Sequence, residues 1–92
     1  MEFVALYNVR EGTERARLLE VYPRHKAYYE AFRAAGGGLI ALGPFQAPDP
    51  AGGSMGIFAS REDAERFIAE DPFVTGGLAD PRILEWNAVR FE

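Results

Sequence analysis

The chain has 92 residues, no cysteine, one histidine and a formal net charge of −4. It is long enough for a single domain, residues 1–92, but a domain of this size buries only about 60–65% of its unfolded surface and has no disulfide to reinforce it. Cysteine-free composition excludes thiol catalysis and fits a reducing, cytoplasmic setting, and one histidine argues against a metal site built on imidazoles.

All but Lys26 of the ten basic residues are arginines, scattered along the chain rather than clustered as a nucleic-acid surface requires. No apolar run reaches the roughly 18–20 residues of a membrane span. The N-terminus places Glu2 where a signal peptide carries positive charge.

In chain order, Phe3 to Val9 reads as a strand with both faces largely apolar. Arg10 to Gly12 is a turn, and Thr13 is placed to cap a helix through Val21. Pro23 removes a hydrogen bond to the carbonyl of Leu19, so the helix is expected to kink there, or to stop and restart, before running to about Ala35. Gly36-Gly37-Gly38 stops it. At about 100° per residue, Leu18, Val21, Tyr22, Tyr28, Tyr29 and Phe32 share one face, and His25 sits in the middle of that stripe. A surface helix normally fills such a position with Leu or Ile.

Leu39 to Gly43 is a short apolar strand, Pro44 to Gly53 a loop, and Ser54 to Ala59 a third strand completing a hairpin. Ser60-Arg-Glu-Asp63 resembles a capping box and opens a helix to about Glu70, with Ala64, Phe67 and Ile68 inward. Asp71-Pro72-Phe73 begins a short turn or helix closed by Gly76-Gly77, and Arg82 to Phe91 forms the last strand.

The order β-α-β-β-α-β specifies an α+β, ferredoxin-like fold: a four-stranded antiparallel sheet with two helices on one face. What covers the other face decides the quaternary structure: both sides of the first strand are apolar, and the second and third strands carry Ile40, Leu42, Met55, Ile57 and Phe58 with almost no charge. Monomers rarely expose an apolar patch of that size, so a homodimer packed sheet to sheet is expected. Whether a larger homo-oligomer forms is not written in the sequence.

Taken together, His25 in the first helix, Gly43-Pro44, Gly53-Ser54, Asp71-Pro72-Phe73, Gly77-Leu78 and Trp86-Asn87 give the chain a resemblance to the YCII-related proteins over nearly its whole length. The resemblance implies a dimeric α+β barrel. It also implies a histidine–aspartate pair at the helix–sheet boundary, by position His25 and Asp71. The best-defined activity among such relatives is dehydrochlorination of a chlorinated hydroxyhydroquinone. Many members carry a basic residue three positions before the histidine. Tyr22 stands there in this chain, with Arg24 on another face, which puts an anionic substrate in doubt.

Each site residue has a plain structural reading beside the functional one. His25 fits a core histidine tied to a backbone carbonyl. Asp71 followed by proline fits a helix N-cap with Pro at the first helical position, and its two oxygens allow capping and an imidazole contact together. Ser54 fits a polar strand end. A Ser54-His25-Asp71 triad lacks any sign of a nucleophile elbow. Tyr7, Tyr29 and Trp86 fit either a pocket for a planar ring or the core.

The leading expectation is a small enzyme without metal or organic cofactor. His25 is its general acid or base, and Asp71 fixes the tautomer and favours the imidazolium. Its chemistry is proton transfer or elimination on a small organic molecule, with Ser54, Tyr7, Tyr29 and Trp86 as candidate substrate contacts. The alternative is a dimeric small-molecule binding protein that turns nothing over.

Overall fold

The computed structural model describes residues 1–49 and 52–91, in the order β1 (Glu2–Val9), α1 (Arg15–Ala34), β2 (Leu39–Asp49), β3 (Gly52–Phe58), α2 (Arg61–Glu70), α3 (Pro72–Thr75) and β4 (Ala79–Trp86). The strands form one antiparallel sheet in the order β2-β3-β1-β4. That is the expected ferredoxin-like arrangement, with the short α3 added between α2 and β4.

Alternation along β1 divides its residues between the two sides of the sheet. Ala5 and Tyr7 join Phe58, Leu39 and Ala79 in the core beneath the helices, and α2 closes that core with Ala64 and Phe67. Phe67 is the hub of an aromatic cluster, with ring centroids 5.1 Å from Phe32, 5.2 Å from Phe58 and 5.0 Å from Tyr28. α2 begins as its sequence predicts. Ser60 caps it by accepting the Asp63 N–H at 3.1 Å, and Glu62 and Asp63 place negative charge in the first turn.

Several boundaries differ from expectation, and the sheet order explains most of them. β2 does not end at Gly43. It continues through Pro44 to Asp49, so most of the predicted loop is strand, while Pro50 and Ala51 lie outside the described residues. β4 likewise starts at Ala79 and runs through Pro81. Both are edge strands, where a residue without an N–H costs no ladder bond on the open side. The sequence marks proline as a breaker but does not say which strands are edges. β3 begins at Gly52 rather than Ser54, since Gly52 pairs with Asp49. β4 stops at Trp86 because its one neighbour, β1, runs out there: Trp86 pairs with Glu2.

Helix α1 is a single element that includes Pro23. It does not restart at the proline. Pro23 lies on the exposed side, where water can satisfy the Leu19 carbonyl it leaves unbonded. Thr13 does not cap the helix: Glu14 is the N-cap residue, without a side-chain bond, and the Thr13 hydroxyl donates to the Leu78 carbonyl at 3.4 Å. The glycine stop after α1 is steric as well as conformational. Gly38 has φ +76°, and a Cβ there would collide with the Asp63 carboxylate at the start of α2. No helix among the described residues is long and apolar enough to cross a membrane.

Candidate functional site

His25 lies where two ridges of α1 cross. Val21, Tyr28 and Phe32 continue one ridge toward the core, and Leu18, Tyr22 and Tyr29 continue the other toward a cavity of about 330 Å³ between α1 and the sheet. His25 is only 8% exposed and lines that cavity. Behind it, away from the cavity, lies Asp71 at 0% exposure.

Asp71 is held at the junction of two helices. Its backbone N–H ends α2 by donating to the Phe67 carbonyl at 3.1 Å, and its side chain caps α3, accepting the Phe73 N–H on Oδ1 at 3.2 Å. The same oxygen lies 2.7 Å from His25 Nδ1. The other, Oδ2, accepts the Tyr7 hydroxyl at 2.6 Å. The expected division of labour, one oxygen for the cap and one for the imidazole, is therefore not what forms. Oδ1 takes both, and Oδ2 is used by the strand.

Three donors converging on two oxygens describe a carboxylate acting purely as acceptor. Nδ1 of a neutral His25 accordingly carries the proton. Nε2 then carries the lone pair, and the Asp71 contact leaves it unengaged. Phe73, positioned by the cap it donates to, stacks on the imidazole at 4.2 Å between centroids and 19° between planes. Tyr29 meets it edge-on at 5.2 Å. The ring is thus fixed by one charge-assisted bond and two aromatic contacts.

The surrounding phenols are held neutral. Tyr7 is pushed far above its ordinary value, first by burial and then by the Asp71 charge and the bond it donates there. Tyr28, whose hydroxyl donates to the Phe67 carbonyl at 2.8 Å, is pushed up to about 12 by burial and by the charges of Asp71 and Glu70. Among the described residues no three His, Cys, Asp or Glu side chains cluster as metal ligands do.

Of the residues singled out from sequence, the structure brings His25, Asp71 and Tyr7 into one hydrogen-bonded chain and sets Tyr29 and Ser54 on the cavity wall. Trp86 is elsewhere. It pairs with Glu2 at the far end of β4, is 41% exposed, and does not line the cavity. Two contributors escaped the sequence reading. Phe73 was visible only as part of an Asp-Pro-Phe cap. Tyr22 was on the helical stripe, but nothing marked it as a cavity residue.

Fold and site together define a small α+β protein with a buried Tyr-Asp-His relay opening onto one cavity. Residues 1–87 match the YCII-related domain, and the chain belongs to that family. No curated protein sequence matches it. Among solved structures it is similar to 5-chloro-2-hydroxyhydroquinone dehydrochlorinase from Burkholderia phenoliruptrix in complex with 2,5-dihydroxybenzoquinone. The two are 25% identical over 95% of this chain and 94% of the other, with a TM-score of 0.70. It is also similar to SnoaB, a cofactor-independent oxygenase from Streptomyces nogalater. A mutant form of SnoaB is 14% identical over 99% of this chain and 96% of its own, with a TM-score of 0.57. A second SnoaB structure is 15% identical over 98% and 93%, with a TM-score of 0.54. At that identity the SnoaB likeness shows the shared fold alone.

Proposed function

We propose that this protein is a small enzyme in which His25 moves a proton for a ring-bearing organic substrate held in the cavity. The observation that carries this is the 2.7 Å contact of His25 Nδ1 with Asp71 in a residue that lines the cavity, which leaves Nε2 as the ring nitrogen free to work there. Asp71 orients the imidazole and, as Nε2 takes up a proton, balances the imidazolium that forms. Likeness to the dehydrochlorinase points to elimination. In a chlorinated hydroxyhydroquinone, Nε2 removes a hydroxyl proton, the electron pair moves through the ring and the chlorine-bearing carbon takes up a proton. Loss of a second hydroxyl proton then expels chloride as the quinone forms, and the sum is loss of HCl with no external oxidant or reductant.

The test is chloride release from a panel of chlorinated hydroxyhydroquinones by wild type and by His25→Asn. Loss of a general acid–base group is expected to lower turnover by about 100-fold or more. Unchanged turnover in the variant would remove His25 from the mechanism. Ligand binding without turnover across the panel would favour a binding protein of the same fold.

The protein works as a homodimer under this reading. The sheet face away from the helices carries Leu6, Met55 and Ile57, with Leu84, Trp86 and Ile40 more than one-third exposed. A second copy on that face would cover them and reinforce a domain of marginal size. Sedimentation equilibrium at micromolar protein is expected to return twice the 10.2 kDa chain mass. A monomer would contradict this.

A further inference from the structure

Among the described residues, the cavity wall carries no Lys, Arg, Asp or Glu. Apart from His25, its side-chain polar groups are Ser54 and the hydroxyls of Tyr7, Tyr22 and Tyr29. Tyr7 already donates its O–H to Asp71. Tyr22 and Tyr29, seven residues apart on α1, set their hydroxyls 3.3 Å from each other. Tyr22 is 44% exposed, so the pair stands at the mouth, with ring centroids 6.1 Å (Tyr22) and 5.2 Å (Tyr29) from the imidazole. One phenol proton is spent inside the pair, which leaves the other free to donate and an oxygen free to accept. The bond to Tyr22, ahead of burial, holds the Tyr29 phenol protonated up to about 12.

Charge decides what such a cavity admits. Asp71 and His25 together carry one negative charge when the imidazole is neutral and none when it is protonated, so the site is never positive. Arg24 and Lys26 are exposed on other faces of α1 and do not reach the wall. An anion entering here gives up its hydration and meets no cation beyond an imidazolium that Asp71 already balances, which is a costly case of charge burial. An uncharged ring gives up little and gains apolar contact on nearly every side.

We propose that the cavity selects an uncharged aromatic ligand of one or two fused rings bearing a hydroxyl or carbonyl oxygen, that the Tyr22–Tyr29 hydroxyl pair recognises that oxygen, and that carboxylates and phosphates are excluded. The inference deepens the proposed function, since it names the substrate class for the same cavity, but it is a statement about binding and stands apart from whether His25 catalyses.

The test compares 2-naphthol with 2-naphthoate at pH 7 by isothermal titration calorimetry. These probes share a fused ring and differ in bearing a neutral hydroxyl or a carboxylate. Wild type is expected to bind 2-naphthol at least about tenfold more tightly. Tyr22→Phe keeps the ring and is expected to weaken 2-naphthol by about threefold to tenfold. Tyr22→Arg puts a cation at the mouth and is expected to reverse the order of the two probes. Both substitutions fall at a half-exposed helix position, and far-UV circular dichroism confirms the folded state.

Three results overturn the proposal: equal or tighter binding of 2-naphthoate by wild type, no binding of 2-naphthol at millimolar concentration, or an unchanged preference in Tyr22→Arg. His25→Asn separates the two readings. A protein with the naphthol preference but no His25-dependent turnover sinks the catalytic proposal alone. One that turns over a ring through His25 yet prefers naphthoate sinks this one alone.

Discussion

Tyr7→Phe isolates the hydrogen bond that ties the sheet to the site. The substitution keeps the ring, its 6% exposure and its packing, and deletes only the hydroxyl that donates to Asp71 Oδ2 at 2.6 Å. A hydrogen bond to a charged partner contributes about 1.5–3 kcal/mol, and here its loss leaves a buried carboxylate oxygen without a donor. For a domain of this size that lowers Tm by on the order of 10 °C.

The loss also has a pH signature. Tyr7 is pushed well above the ordinary 10.0 in the folded chain, by burial first and the Asp71 charge second. The folded state therefore keeps a proton that the unfolded chain releases above about pH 10. The stabilisation is complete below that value and falls as pH rises, by roughly 1.4 kcal/mol for each pH unit above 10. Phe has no proton to lose. Urea unfolding followed by far-UV circular dichroism, at equal protomer concentration, is expected to show the variant less stable by about 1.5–3 kcal/mol at pH 8. At pH 11 the gap narrows by about 1.4 kcal/mol. A variant as stable as wild type at pH 8, or a gap constant from pH 8 to 11, would refute the reasoning. Tyr28, at about 12, adds alkaline lability of the same sign to both proteins.

Other substitutions probe the site and its frame. Asp71→Ala strips three donors of their acceptor and is expected to cost at least about 3 kcal/mol by urea unfolding. A loss below about 1 kcal/mol, the worth of a helix cap alone, would mean the contacts to His25 and Tyr7 add nothing. Phe67→Ala removes the aromatic hub and is expected to cost about 3–5 kcal/mol in the same assay. Gly36→Ala and Gly38→Ala form a matched pair. Both positions have positive φ, at +78° and +76°, and pay about 1–2 kcal/mol for it, but only Gly38 faces Asp63. The second variant is expected to be the less stable in thermal melts, and equal melts would show that Asp63 moves aside freely.

Much of this architecture is legible in the residues because local patterns and tertiary outcome agree. The capping box at Ser60, the glycine stop at 36–38 and the apolar β1 each act within a few residues of themselves. The misread boundaries depend on something non-local. Whether Pro44 and Pro81 break a strand turns on whether that strand is an edge, which only the finished sheet decides.

The site divides in the same way. A lone histidine on an apolar helical stripe and an Asp-Pro pair are visible locally, and the family resemblance joins them. The third member of the relay is not. Tyr7 reaches Asp71 across 64 residues, through a register that pairs Tyr7 with Ser54 and with Pro81. The same registers carry Trp86 to Glu2, away from the cavity. An aromatic side chain in a strand does not show which face or cavity it meets.

The chain has one histidine, so its two ring nitrogens can be read by long-range 1H–15N correlation NMR with no ambiguity of assignment. In the neutral imidazole the Asp71 contact predicts a single tautomer, with Nδ1 protonated and Nε2 carrying the lone pair, and a bound cavity ligand is expected to shift Nε2 alone. An Nε2-protonated ring, or rapid averaging of the two tautomers, would contradict the assignment of Nε2 as the working nitrogen.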